Sequence, residues 1–164
     1  MSSVHDAARF RQILGHYPTG VCVVCGIDPA GEPAGLVVGS FTSVSLDPPL
    51  VAFFPDHAST TWPRIVPGRR FCVNVLGHDQ QDLCRRFAVS GGDKFADVEW
   101  RPAAATGSPA LRDATAWVDC ELEAVHRAGD HDIVVGRVLD LGLREEPAEP
   151  LLFLRGGYGR FMPL

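Results

Sequence analysis

Short runs of β-branched and aromatic residues, separated by proline and glycine turn signals, constrain the fold of this chain most strongly. Such runs are typical of strands, and the turn residues between them favour antiparallel hairpins over long crossover connections. Because only short helices interrupt the strands, the pattern predicts a mostly β fold built on an antiparallel barrel. The predicted strands lie at residues 21–27, 34–46, 50–54, 70–76, 116–126, 132–141, 151–154 and 158–161.

Three short helices are predicted at the periphery of this sheet. Residues 6–17 carry a narrow apolar stripe at helical spacing, which predicts a helix packed against the body of the protein. Residues 78–88 repeat apolar side chains at intervals of three and four, which indicates a second amphipathic helix. A third helix is expected to begin after Ser59, because Pro63 suits a first turn. The segment from the loop at residues 90–95 through residue 111 is expected to be irregular.

The composition is typical of a globular protein of one domain. A chain of 164 residues is expected to form a single domain, residues 1–164, with its own core. The formal net charge of -5 supplies no basic surface for nucleic acid or for an anionic membrane. No export signal is visible, and no apolar run approaches the roughly 20 residues of a membrane helix. We therefore predict a cytoplasmic protein that binds neither nucleic acid nor membrane.

The cysteines and histidines do not predict a metal site. Cys22 and Cys25 have the spacing of a zinc or redox motif, but they lie in a predicted strand, where residues three apart face opposite sides. Most of the five cysteines are expected to be reduced and buried, and the six histidines are scattered along the chain.

The stretch "GLVVGSFTSVSLDPPLV", residues 35–51, is the strongest candidate for ligand binding that the residues themselves supply. Familiar nucleotide, hydrolase and zinc motifs are absent from the sequence. The hydroxyls of this stretch, with those at residues 59–61, could donate to a phosphate or a heteroaromatic ring. Serine and threonine are equally common on the polar face of a half-buried strand, so both interpretations remain open here.

Several segments together resemble the flavin reductase family, which includes the small reductase components of two-component flavin monooxygenases. These segments are "YPTGVCVVCG", "GLVVGSFTSVSLDPPLVAFF", "HASTTWPRI", "RRFCVNVLGHDQQDLCRRFA", "GGDKF", "AGDHDIVVGRV" and "LLFLRGGYGRF". The resemblance extends over residues 10–161. It implies a split β-barrel homodimer that binds FMN or FAD, reduces it with NADH or NADPH, and supplies a separate monooxygenase.

The resemblance also implies the residues of a flavin and nicotinamide site. A strand segment would line the flavin ring through backbone groups, two phenylalanines would lie alongside, and hydroxyls would bind the phosphate. Further residues would cover the ribityl chain and phosphate, an aromatic residue would lie near the ring, and a histidine would border the nicotinamide. In that order, the residues are Val37, Val38, Gly39 and Ser40; Phe53 and Phe54; Ser59, Thr60 and Thr61; Phe87, Ala88, Lys94 and Phe95; Tyr158; and His131.

This chain departs from the family pattern at two places. Relatives commonly have threonine and asparagine where this chain has Val37 and Gly39, so two side-chain contacts to the flavin would be missing. Relatives often place a basic residue where this chain has Thr60, and Lys94 or Arg85 would have to supply that charge. A lower flavin affinity, or an altered choice between FMN and FAD, is expected from these changes.

Three functions are compatible with the sequence. The first is an NAD(P)H:flavin oxidoreductase, and the second is a flavin- or haem-binding split-barrel protein without reductase activity. The third is a related barrel that oxidises a phosphorylated substrate such as pyridoxamine phosphate. The segments "GDHDIVVG" and "SFTSVSLDPP" favour the first.

Overall fold

The protein is organised around one large antiparallel sheet, with two smaller sheets and three helices beside it. The computed structural model describes residues 6–164. Short 3₁₀ turns occupy Val66–Gly68 and His78–Gln80. In chain order the elements are α1 (Ala7–Leu14), β1 (Thr19–Gly20), β2 (Cys22–Ile27), β3 (Pro33–Val38), β4 (Thr42–Leu46), β5 (Pro49–Phe53), α2 (Trp62–Ile65), β6 (Arg70–Val75), α3 (Gln81–Ala88), β7 (Trp100–Pro102), β8 (Pro109–Leu111), β9 (Ala116–Ala128), β10 (His131–Leu143), β11 (Leu151–Leu154) and β12 (Gly157–Arg160).

The two edge strands of the large sheet are consecutive along the chain. The strand order is β3-β2-β6-β9-β10-β5-β4, so β3 and β4 stand at opposite edges. Residues 39–41 alone separate them, and the four-residue step from Val38 to Thr42 spans at most about 14 Å. The sheet therefore curls until its edges approach each other, and it remains open along residues 39–41, which we call the seam. The predicted mostly β, split-barrel architecture is confirmed.

The seam corrects one predicted strand. The sequence predicts a continuous strand over residues 34–46 that pairs with residues 21–27. In the structure, β3 pairs with β2, whereas β4 pairs with β5 at the other edge of the sheet. Because the chain crosses from one edge to the other at the seam, it cannot keep a single extended ladder there.

The core lies on both faces of this curled sheet. Inside the barrel, side chains from six strands meet two residues of α2 in a cluster of Cys22, Val24, Ala34, Leu36, Val38, Val51, Phe53, Trp62, Ile65, Phe71, Val73, Cys120, Leu122 and Val134. On the outer face, Val21, Val23 and Cys25 pack with Cys84 and Phe87 of α3. Cys22 and Cys25 therefore face opposite sides of the sheet, as predicted.

Two further expectations about local structure are wrong. Helix α1 forms where predicted, with Asp6 as its N-cap, but none of its residues is buried. Its apolar residues Phe10 and Ile13 are 58% and 55% exposed, because no other part of residues 6–164 covers this stripe. The segment expected to be irregular contains the short antiparallel pair β7 and β8.

Helix α3 is brought close to the sheet by a glycine in β3. A Cβ built on Gly35 would lie 2.6 Å from Cε1 of Phe87, which is too close for any other residue without a shift. The absence of a side chain at Gly35 lets the Phe87 ring pack directly on the strand. This contact places the C-terminal end of α3 beside the middle of β3.

Candidate active site

A large cleft of the described chain opens at the seam. It has a volume of about 700 Å³, and it lies between the end of β3, the loop after β5, the end of α3 and the small sheet of β1, β11 and β12. The register of that small sheet places Phe153 opposite Tyr158, and both side chains face the cleft. A cleft of this size, with apolar walls and a few polar groups, is typical of a site for a small organic ligand.

The structure brings almost all of the predicted site residues into this one cleft. Phe53 and Phe95 are the exceptions. The predicted residues that line the cleft are Val37, Val38, Gly39, Ser40, Phe54, Ser59, Thr60, Thr61, Phe87, Ala88, Lys94, His131 and Tyr158.

Phe53, predicted to lie alongside the flavin, is placed away from the cleft. Its side chain is fully buried inside the barrel, where its ring packs edge-on against Trp62 at 5.2 Å between centroids. Consecutive residues of a strand face opposite sides, so Phe53 and Phe54 cannot both border the cleft. Phe54, which follows the last residue of β5, is 40% exposed and turns into the cleft.

Phe95 does not line the cleft but packs against Phe87, which does. Its ring packs edge-on against Phe87 with centroids 5.0 Å apart, and Trp100 packs on Phe95 in turn. Phe87 is therefore held between Gly35 on one side and Phe95 on the other. Phe95 also lines a second, smaller groove that adjoins the cleft at Thr60, Thr61 and Lys94.

The loop between β5 and α2, residues 54–61, carries three consecutive hydroxyl residues that line the cleft, Ser59, Thr60 and Thr61, and we call it the rim loop. Ser40 of the seam accepts a hydrogen bond from the Phe54 backbone N–H at 2.9 Å, which ties the start of the rim loop to the seam. Ser59 Oγ accepts from the backbone N–H groups of Thr61 and Trp62 at 3.3 and 3.2 Å. The Ser59 side chain therefore binds the backbone at the start of α2, whereas Thr60 Oγ1 has no hydrogen-bond partner among residues 6–164.

Lys94 is the single lysine of the chain, and it lies at the polar end of the cleft. Its Nζ donates to the Phe87 backbone carbonyl at 3.0 Å, near the C-terminal end of α3. Burial, and secondarily the nearby Arg64, lowers the pKa of the Lys94 ammonium. An anion beside Lys94 would offset both effects, because it would favour the charged form.

Tyr158 closes the cleft on the side of the small sheet. Its hydroxyl lies 3.3 Å from Sγ of Cys84, and the Arg85 guanidinium stands over its ring at 5.9 Å from the centroid. The contact with Cys84, followed by burial, raises the pKa of the Tyr158 hydroxyl. The ring is thus fixed from two directions and presents an aromatic surface to the cleft.

His131 is the first residue of β10 and stands at the mouth of the cleft. Its Nδ1 lies 2.7 Å from Oδ1 of Asp130, and this hydrogen bond lowers the pKa of the Asp130 carboxyl. A carboxylate can only accept, so Nδ1 carries the proton, and in the neutral ring Nε2 is left as an acceptor. Asp130 was not predicted as a site residue from the sequence, although its position directly before His131 could have suggested this role.

Several other cleft residues were also missed by the sequence analysis. They come from the end of α1, from β1 and the residues just before it, and from β11, and four of the five lie in the segments "YPTGVCVVCG" and "LLFLRGGYGRF" without having been assigned to the site. These residues are Leu14, Tyr17, Thr19, Gly20 and Phe153. Only the folded topology brings them together with the seam.

Neither a metal centre nor a membrane-spanning helix is found in the described part of the chain. Within residues 6–164, no group of three or more histidine, cysteine, aspartate or glutamate side chains is arranged to hold a metal ion. No helix in that range has the length and apolar character needed to cross a bilayer.

Comparison with known proteins identifies the family of this chain. The model of the flavin reductase like domain matches residues 14–162. The chain belongs to the flavin reductase family. A flavin reductase of Pseudomonas putida is 52% identical to this family member over 159 residues, which cover 97% of the chain and 92% of the relative.

Two further relatives have more specific descriptions. The reductase subunit HsaB of a flavin-dependent monooxygenase from Rhodococcus jostii is 45% identical over 159 residues, covering 96% of this chain and 80% of the relative. A solved NADH:FAD oxidoreductase from Streptomyces globisporus C-1027, in complex with NAD and FAD fragments, superposes with a TM-score of 0.91. That structure is 33% identical, and the match covers 99% of this chain and 97% of the other.

Proposed function

We propose that this protein is an NAD(P)H:flavin oxidoreductase that transfers a hydride from NADH or NADPH to FMN or FAD. The observation that carries the proposal is the single cleft at the seam, which gathers the residues expected for a flavin and a nicotinamide in a chain of the flavin reductase family. The descriptions of relatives as a flavin reductase and an NADH:FAD oxidoreductase support the same reaction.

The groups that line the cleft suit a flavin. Val37, Phe54 and Tyr158 offer apolar and aromatic surface for the ring. Gly39 has no side chain of its own, so its backbone is open to the cleft. A Cβ at Gly39 would lie 3.0 Å from Oγ1 of Thr19, so a larger residue would crowd this wall. Thr60, Thr61 and Lys94 supply hydroxyl donors and a positive charge for the phosphate.

The protein contributes binding and orientation to the reaction. The bound flavin supplies the chemistry, since its ring accepts the hydride directly from the reduced nicotinamide. The apolar walls exclude water and hold the two rings against each other. Nε2 of His131 accepts a hydrogen bond from the nicotinamide carboxamide and orients it, while Asp130 keeps the imidazole in the tautomer that this requires.

The reduced flavin is passed to a separate monooxygenase in this proposal. The description of one relative as the reductase subunit of a flavin-dependent monooxygenase supports such a partner. Purified reductase, NADH and flavin should then sustain oxygenation by that partner. An oxygenase that stays inactive with the reductase, NADH and flavin present would contradict the transfer of reduced flavin.

The working unit in this proposal is a homodimer. Apolar side chains stay exposed on α1, on the edge strand β4 and along β10, and a second copy of the chain would cover them. They include Phe10, Ile13, Leu46, Leu141 and Leu143. Light scattering should give a mass of twice the 17.7 kDa chain, and a monomer at micromolar concentration would contradict the dimer.

The chain is proposed to act as a single domain, residues 1–164, in the cytoplasm. The family model matches residues 14–162 without a division. All five cysteines are buried and unpaired, which is typical of a reducing compartment. Cell fractionation of the native host tests the location, and recovery of the protein outside the cytoplasmic fraction would contradict it.

A steady-state assay tests the reaction itself. Purified protein should oxidise NADH or NADPH only when FMN or FAD is added, with saturation in both substrates. If the protein binds flavin but neither nicotinamide is oxidised with either flavin, a carrier without reductase activity becomes the better account.

A further inference from the structure

The rim loop is joined to β10 by a side-chain pair that lies outside the cleft. Backbone hydrogen bonds already connect the two elements, from His57 N–H to the Asp130 carbonyl at 2.9 Å and from Asp132 N–H to the Pro55 carbonyl at 3.0 Å. Beside them, Nε2 of His57 lies 2.8 Å from Oδ1 of Asp132. Within residues 6–164 this is the one side-chain hydrogen bond between the rim loop and β10.

Neither member of this pair borders the cleft. Asp132 follows His131 on the strand, and neighbouring strand residues face opposite sides, so the two side chains diverge. His131 lines the cleft, whereas His57 and Asp132 do not. Their side chains are 34% and 25% exposed, so the pair is partly shielded from solvent. A residue in this place can act on a ligand only through the elements that it holds.

The elements held by the pair carry the two halves of the proposed site. His131 stands one residue before Asp132 on β10, and the hydroxyl residues Ser59, Thr60 and Thr61 follow His57 on the rim loop. The turn between them is braced internally, because Asp56 accepts from Ala58 N–H through its carboxylate and from Ser59 N–H through its carbonyl, at 2.7 and 3.0 Å. A displacement of His57 is therefore transmitted to the hydroxyl residues.

We propose that His57 and Asp132 are positioning residues that fix the flavin-binding rim loop against the strand that carries the nicotinamide-binding His131. This inference rests on the proposed function, since it assigns the two ligands to the two elements. The pair sets the distance between the phosphate-binding hydroxyls and His131. It therefore keeps the flavin and the nicotinamide in the correct positions relative to each other. Because the backbone hydrogen bonds remain when the pair is lost, the effect is a loosening of the site rather than its collapse.

Removal of either partner is expected to weaken binding of both ligands. H57A and D132A should each raise the Kd for flavin and the KM for NADH about three- to fivefold, as expected for a partly exposed pair. The H57A/D132A double variant should be no worse than either single variant, because both remove the same hydrogen bond. H57Q should behave like the wild type, since its amide N–H can reach Asp132 from a similar position.

The matched control lies on the same hairpin. Arg137 and Glu123 form a two-fold hydrogen-bonded pair, with both distances 3.0 Å and with similar exposure, away from the cleft. E123A should leave the Kd for flavin and the KM for NADH unchanged. Hydrogen exchange adds a readout that needs no activity, and the amides of His57 and Asp132 should exchange faster in H57A than in E123A.

Two results would overturn this inference. Faster exchange in H57A with unchanged Kd and KM would show that the pair is merely structural. Independent, additive effects of H57A and D132A would show that they do not act through each other. A failure of the proposed function is distinguishable, because the wild type itself would then show no flavin-dependent NADH oxidation. In that case the Kd for flavin and the hydrogen-exchange rates would still test whether His57 and Asp132 hold the rim loop.

Discussion

Replacement of Lys94 by methionine is expected to raise the Kd for flavin about 10- to 100-fold. A hydrogen bond to a charged group contributes about 1.5 to 3 kcal/mol, and about 1.4 kcal/mol corresponds to a factor of ten in Kd. Lys94 is the single lysine or arginine that lines the described cleft, so no neighbouring cation in residues 6–164 lines it to replace the charge. Fluorescence titration of FMN and FAD with the purified variant measures this loss directly.

Two comparisons separate the charge of Lys94 from its structural contact. K94R keeps the positive charge and should recover most of the flavin affinity, whereas K94M also loses the hydrogen bond to the Phe87 carbonyl. Thermal unfolding of both variants reports that second loss. Flavin binding by K94M at wild-type affinity would show that the phosphate lies elsewhere.

Replacement of His131 by alanine is expected to lower kcat/KM for NADH about tenfold, while the Kd for flavin stays unchanged. Loss of one hydrogen bond to the nicotinamide, together with its orientation, corresponds to a free energy of roughly 1 to 1.5 kcal/mol. The KM for NADH rises if His131 binds the nicotinamide equally before and during the reaction, and kcat falls if it mainly orients the ring. Steady-state kinetics with saturating flavin separates these two cases.

His126 provides the control for His131. It lies on β9 of the same hairpin, is exposed and does not line the cleft. H126A should keep wild-type kinetics. If H131A also keeps both its KM and its kcat, His131 has no part in the reaction and serves only as a turn residue bonded to Asp130.

The sequence predicts most strands of this fold because their signals are local. Alternating and β-branched runs lie where β2, β5, β6, β9 and β10 form, and turn residues such as Gly129, with its positive φ of 65°, mark their ends. The seam was missed because residues 39–41 look like a continuation of a strand, and only the pairing of the two edges requires a break there. The exposure of Phe10 on α1 was missed because periodicity shows an apolar stripe but not what covers it.

In the candidate site, too, some residues could be predicted from the sequence and others depend on contacts that only the fold creates. Thr60, Lys94 and His131 were predicted from the resemblance to the flavin reductase family, and the fold brings them to one cleft. Phe53 does not line the cleft, and the motif that suggested it does not state which of two neighbouring strand residues faces the cleft. The contact between His57 and Asp132 joins residues 75 positions apart, and no pattern in the sequence connects them.

Hydride transfer from a nicotinamide to a flavin in this cleft can be followed directly without oxygen. NADH is added anaerobically to the protein with a stoichiometric amount of flavin, and the visible absorbance of oxidised flavin is followed. The absorbance is expected to disappear with one NADH consumed for each flavin, and much more slowly with H131A. Flavin that stays oxidised in the presence of wild-type protein with excess NADH and NADPH, tested with both FMN and FAD, would contradict the account.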